Sequence, residues 1–135
     1  MKNFNNKVIL ITGGTGSFGK RFIYKILKYS KPKKVIVFSR DELKQYDLSN
    51  KLSKYDNIMR YFIGDVRDKE RLETASKDVD YIIHAAALKQ VVSSEYNPIE
   101  AIKTNVHGAE NIINAAISNN VDKIIALSTD KAVNP

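Results

Sequence analysis

The sequence contains no cysteine and no tryptophan. Disulfides, zinc–thiolate centres and thiol nucleophiles are therefore excluded. Long apolar runs are missing too, and none approaches the roughly 20 residues of a membrane-spanning helix. The stretch through Lys7 is polar, and the apolar segment Val8 to Thr12 is too short for the core of a signal peptide. A soluble, cytoplasmic protein that does not engage the membrane is expected. Acidic residues are absent from the first 40 positions, which hold ten Lys or Arg, whereas positions 41–135 carry the other 12 bases against 15 acids. So lopsided a front third suits a solvated face, a site for phosphorylated small molecules or a nucleic-acid surface. Lys25, Lys28, Lys31, Lys33 and Lys34 lack interleaved base-stacking residues, so no nucleic-acid partner is expected.

What is present is an alternation. Apolar runs recur at Val8–Ile11, Val35–Phe38, Tyr61–Ile63, Tyr81–Ile83 and Ile124–Leu127. Continuous runs, unlike alternating ones, mark strands covered on both faces. Between them lie helical patterns. One runs Phe18, Phe22, Ile26 and Tyr29 and stops before Pro32. A longer one runs Ile102, Val106, Ala109, Ile113 and Ala116, with Pro98 in its first turn and Asn97 as a candidate cap. Strands alternating with helices imply parallel pairing through right-handed crossovers. The spacing predicts one α/β unit, a doubly wound parallel sheet of Rossmann type in the order 3-2-1-4-5, spanning 1–135. The pattern stops in what should be a site loop after the fifth strand, so a domain truncated before its later strands is expected.

Directly after the first run comes Thr12-Gly13-Gly14-Thr15-Gly16-Ser17-Phe18-Gly19. Glycines at 13, 16 and 19 would allow a sharp turn, a close approach of backbone N–H groups to a pyrophosphate, and tight packing of the helix on the sheet. The opening helix adds unpaired N–H groups and its positive end. Gly13, Thr15, Gly16, Ser17, Phe18 and Gly19 are therefore candidate cofactor contacts. A glycine-rich loop can also serve chain reversal alone, but one lying between a strand and a helix fits a dinucleotide.

The second run ends in Ser39-Arg40-Asp41, with Lys44 a turn later. A carboxylate at this strand tip would select NAD, whereas Arg40, helped by Ser39 and Lys44, would pair with the extra phosphate of NADP. Asp65, after the third run, could accept from an adenine amino group with Val66 against the ring, or could cap the next helix. Ala85, Ala86 and Ala87 let the backbone lie flat against a cofactor. His84 reads as a buried core histidine, and no residue cluster has metal-ligand spacing.

These segments resemble the extended short-chain dehydrogenase/reductases, and among them the inverting UDP-N-acetylglucosamine 4,6-dehydratases of surface-sugar pathways such as that to pseudaminic acid. The resemblance rests on the glycine turn, on Ser39-Arg40-Asp41-Glu42-Leu43-Lys44, on Gly64-Asp65-Val66-Arg67-Asp68, on His84-Ala85-Ala86-Ala87-Leu88-Lys89, on Lys103-Thr104-Asn105-Val106 and on Ser128-Thr129-Asp130-Lys131. It implies a lyase in which bound NADP takes hydride from C4 of a UDP-sugar, a C5 proton and the C6 hydroxyl leave as water, and the hydride returns to C6. By position, Thr129 would hold the C4 oxygen, Asp130 would act as the acid and Lys131 as the base. Asn105 would order the cofactor side of the site, and Lys89 would lie near the substrate or cofactor phosphates.

The resemblance further implies a Tyr-x-x-x-Lys pair and a sugar-binding region beyond Pro135, so that residues 1–135 alone would be inactive, and a homo-oligomer in the full-length protein. An epimerase or reductase on the same scaffold, or a non-catalytic NADP-binding module, are the other readings.

Overall fold

The computed structural model describes residues 4–128. Strands β1 (Val8–Thr12), β2 (Lys34–Ser39), β3 (Met59–Ile63), β4 (Tyr81–His84) and β5 (Lys123–Ala126) form one sheet in the order β3-β2-β1-β4-β5. Every pairing is parallel. The α/β architecture and strand order are those the sequence predicts. Helices α1 (Ser17–Tyr29), α2 (Glu42–Lys51), α3 (Lys69–Ala75), α4 (Val91–Tyr96), α5 (Pro98–Ile102) and α6 (Gly108–Ser118) fill the crossovers. None is long and apolar enough to cross a membrane.

The apolar runs form strands because both faces of the sheet are covered. All five residues of β1 are buried. Alternation sends Val8 and Leu10 to one face, where they meet Ile36, Phe38 and Ile82 beneath Leu72 of α3 and Ile112 of α6. Ile9 and Ile11 go to the other, with Val35, Val37 and Ile83 beneath Ile23 and Ile26 of α1 and Leu48 of α2. Two cores thus grip one central strand. Fully burying one such Ile or Leu is worth about 1.5–3 kcal/mol, so β1 and its loop are held rigidly.

Two helical faces differ from expectation. In α1 the buried residues are Gly19, Ile23, Ile26 and Leu27, while Phe18 and Tyr29 are exposed. Phe18 stacks along the flank on Phe22 at 5.6 Å between centroids instead of entering the core. In the long helical stretch the expected stripe holds only in part: Ala116 is buried and Ala109 half-buried, while Ile102, Val106 and Ile113 face outward. Thr104, Gly108, Ile112 and Ala115 are buried as well. A π turn over Lys103–His107, in which the Gly108 N–H donates to the Lys103 carbonyl, interrupts this stretch. Pro98 does open α5, but the Asn97 side chain does not cap it; its amide donates to the Ser93 carbonyl instead.

Candidate cofactor-binding site

The carboxyl ends of β1 to β4 converge on one cleft of about 360 Å³. It sits where the chain order reverses between β1 and β4, the place where open α/β sheets hold ligands. Its walls include Gly13, Thr15 and Gly16 from the first loop, Ser39, Arg40, Asp41 and Lys44 from the second, Asp65 and Val66 from the third, and Ala85, Ala86, Ala87 and Lys89 from the fourth. These expected positions are brought together. Ser17, Phe18, Gly19 and Asn105 do not line it.

The floor is built by backbone. Gly13 has φ +66°, and a Cβ there would come within 2.8 Å of the Ala85 carbonyl group and the Ala86 nitrogen. The loop therefore presses against the Ala85–Ala86 segment with no room for a side chain. A Cβ on Gly19 would lie 2.5 Å from the Gly14 Cα, so Gly19 serves the packing of α1 on its own loop. The N-terminus of α1 has no side-chain cap and no acidic residue in its first turn. No carboxylate of its own first turn competes for the leading N–H groups of this helix, as an anion site requires.

The second loop is braced by Gln45, a residue of the matching segment to which the sequence assigns no role. Its buried side-chain amide donates to the Ser39 carbonyl (3.1 Å), the Ser39 Oγ (3.0 Å) and the Phe62 carbonyl (2.9 Å). Ser39 accepts there, which leaves its own hydroxyl hydrogen to donate elsewhere. Asp41 caps α2, accepting from the Lys44 N–H at 2.9 Å, and pairs with Lys44 Nζ at 2.7 Å. The Lys44 contact holds the Asp41 carboxyl below its usual range. Arg40 stands over half exposed at the mouth, 3.6 Å from Asp65.

Asp65 is not the cap of α3; Asp68 is, accepting from the Arg71 N–H at 2.9 Å. Burial would raise the Asp65 pKa, but hydrogen bonds from Arg67 outweigh it and hold the carboxyl ionised below its usual range. Asn105 acts on the fourth loop: its amide accepts from the Leu88 N–H (2.8 Å) and donates to the Leu88 carbonyl (2.9 Å). It shapes the wall without facing the cleft. Thr104 lines the cleft, is 4% exposed, and its hydroxyl has no partner among the described residues. An orphaned buried hydroxyl in a cleft wall suits a ligand that completes it. Nothing in the sequence flagged Thr104 beyond its place beside Asn105. The cleft thus offers amide donors and cations for phosphates, an apolar slot at Val66 and an orphan hydroxyl, a donor set that fits a dinucleotide. Thr129, Asp130 and Lys131 lie outside the described residues. Among the described residues no cluster of His, Asp or Glu is placed to hold a metal ion.

Residues 9–135 match the model of a family described as polysaccharide biosynthesis protein. The chain belongs to that family. It is 62% identical over 132 residues to a UDP-N-acetylglucosamine 4,6-dehydratase (inverting) of Campylobacter jejuni, covering 98% of this chain and 39% of that protein. It is 50% identical over 135 residues to a UDP-glucose 4-epimerase of Rickettsia akari, again 39% of that protein. Among solved structures, Pen from Bacillus thuringiensis superposes with a TM-score of 0.94 at 42% identity, over 98% of this chain and 42% of that one. A dTDP-glucose 4,6-dehydratase and a UDP-glucose 4-epimerase with the same fold, at 28% and 26% identity, were solved with NAD bound. The chain thus spans about two-fifths of the length of the curated relatives it matches.

Proposed function

We propose that these residues are the NADP-binding portion of a cytoplasmic UDP-N-acetylglucosamine 4,6-dehydratase that inverts C5. The carrying observation is the 62% identity to a dehydratase of that activity, joined to a cleft whose second loop presents Arg40 and Ser39 where an NAD enzyme would present a carboxylate. The 50% identity to an epimerase keeps a second reading open. The Thr129-Asp130-Lys131 segment favours the dehydratase, because eliminating water needs an acid and a base that an epimerase does not.

In this reading the α1 amides and Gly16 bind the pyrophosphate, Arg40, Ser39 and Lys44 hold the 2′-phosphate, and Val66 packs on the adenine. Thr104 offers its hydroxyl to the ribose side, and Lys89 lies toward the sugar-nucleotide phosphates. Bound NADP would supply the redox step, accepting hydride from C4 of the sugar and returning it to C6. Thr129 would hold the C4 oxygen, Lys131 would remove the C5 proton, and Asp130 would protonate the leaving C6 hydroxyl. The substrate-binding portion, and the homo-oligomer expected for such an enzyme, belong to the full-length protein.

The test is incubation of the full-length protein with UDP-N-acetylglucosamine and NADP, followed by proton NMR. A new C6 methyl doublet with no net consumption of NADP is expected. An epimerised sugar that keeps its C6 hydroxyl would overturn the dehydratase reading in favour of the epimerase.

A further inference from the structure

Two arginines contend for one carboxylate at the mouth of the cleft. Arg67 takes nearly all of Asp65: its backbone N–H donates to Oδ1 at 3.0 Å, and its Nε and Nη2 donate to Oδ2 at 2.9 and 2.7 Å. Arg40 reaches the same Oδ2 only to 3.6 Å, outside hydrogen-bond range. Arg67 wins because it is two residues away in sequence and fastened at its far end. Its Nη1 donates to Glu100 of α5, whose other oxygen accepts from Lys103 at 3.0 Å. Arg40 comes from the tip of β2 with its side chain 56% exposed. The result is an alternating row, Arg40, Asp65, Arg67, Glu100, Lys103, in which, among the described residues, the terminal Arg40 alone lacks a full partner.

From this we infer that Arg67 is a positioning residue for cofactor selectivity, saturating Asp65 so that Arg40 stays available to a 2′-phosphate. The inference rests on the NADP reading of the cleft. Without Arg67, Arg40 is the nearest cation to Asp65 and would close onto it. The carboxylate would then compete with the 2′-phosphate for Arg40, and its unneutralised charge would repel the phosphate. Both effects act on NADP. NAD has no phosphate there, so neither effect reaches it. A bridge that merely pinned α5 to the third loop would affect the two cofactors alike.

Calorimetric titration of the full-length protein with NADP and with NAD at low salt tests this. Arg67→Gln should cut the preference for NADP about tenfold, by weakening NADP alone, and added salt should shrink the difference. Adding Asp65→Asn to that variant should restore the preference. Arg67→Lys, which keeps the charge, and Glu100→Gln, which frees the far end of Arg67 but leaves it on Asp65, should both retain it. If Arg67→Gln folds poorly, Arg67→Met, which keeps the aliphatic stem and removes the charge, carries the same test. A wild type preferring NADP whose Arg67→Gln variant keeps that preference, or whose double variant does not regain it, overturns the role of Arg67 alone. A wild type binding both cofactors equally overturns the NADP reading, and the inference with it.

Discussion

The hydroxyl of Thr12 lies 2.7 Å from Nδ1 of His84, joining the tips of β1 and β4 at the point where the sheet reverses. The same oxygen accepts from the Ala85 N–H at 3.2 Å and the Ala86 N–H at 3.4 Å. With both lone pairs engaged, Thr12 has only its O–H to offer, so Nδ1 must accept and the His84 proton sits on Nε2. His84 is thereby a neutral structural pin beneath the alanine loop, not a ligand. Burial lowers its pKa from the ordinary value.

The lowered pKa makes stability depend on pH. Above about pH 6.5 neither folded nor unfolded His84 carries the extra proton. As pH falls below that value the unfolded chain takes it up and the folded chain resists, so stability declines until the lowered folded pKa is reached. His84→Ala should cost about 1–3 kcal/mol at pH 7.5 by stranding the Thr12 hydroxyl, and the gap from wild type should narrow at pH 5. Urea unfolding of both proteins at the two pH values measures this. A gap that stayed constant would mean that folding leaves the His84 pKa unchanged, and one that widened would mean that the folded ring holds its proton and that the tautomer is wrong.

Arg40 is the direct determinant of the proposed selectivity. Loss of a charge-assisted hydrogen bond to the 2′-phosphate should cost about 1.5–3 kcal/mol. Calorimetry of Arg40→Ala in the full-length protein should show NADP affinity falling while NAD affinity hardly moves. Equal losses for both would place Arg40 outside the phosphate contact.

The sheet was legible because both of its faces are buried, which writes β1, β2 and β4 as unbroken apolar runs. The glycine turn was legible because backbone crowding at Gly13 and Gly19 admits no other residue. Helical faces were less so. The stripe through Ile102 and Val106 faces outward, because apolar spacing alone does not say which side of a helix the sheet covers, and a π turn leaves no mark in composition. Asp65 and Asp68 are three residues apart, and only the start of α3 decides which one caps it. Gln45 and Thr104 were invisible for a different reason. Their roles depend on which loops the topology brings beside them, and an amide or a hydroxyl in a helix has no pattern of its own.

Lys131 lies three positions beyond Ser128, where the described chain ends. In the proposed reaction the C5 proton becomes acidic only after C4 is a ketone, so its removal is a distinct step with its own base. A lysine serves as base near neutral pH only when burial or nearby cations lower its pKa. In the full-length protein Lys131→Ala should leave C4 oxidation intact and stall the elimination. Incubating UDP-N-acetylglucosamine with that variant in D₂O should give little deuterium at C5 by NMR, together with reduced cofactor visible by its near-ultraviolet absorbance. General-base removal of this kind is worth about 10²–10⁴ in rate, so a loss of C5 exchange on that scale is expected. Exchange at the wild-type rate would assign the base to another residue and leave Lys131 with a binding role alone.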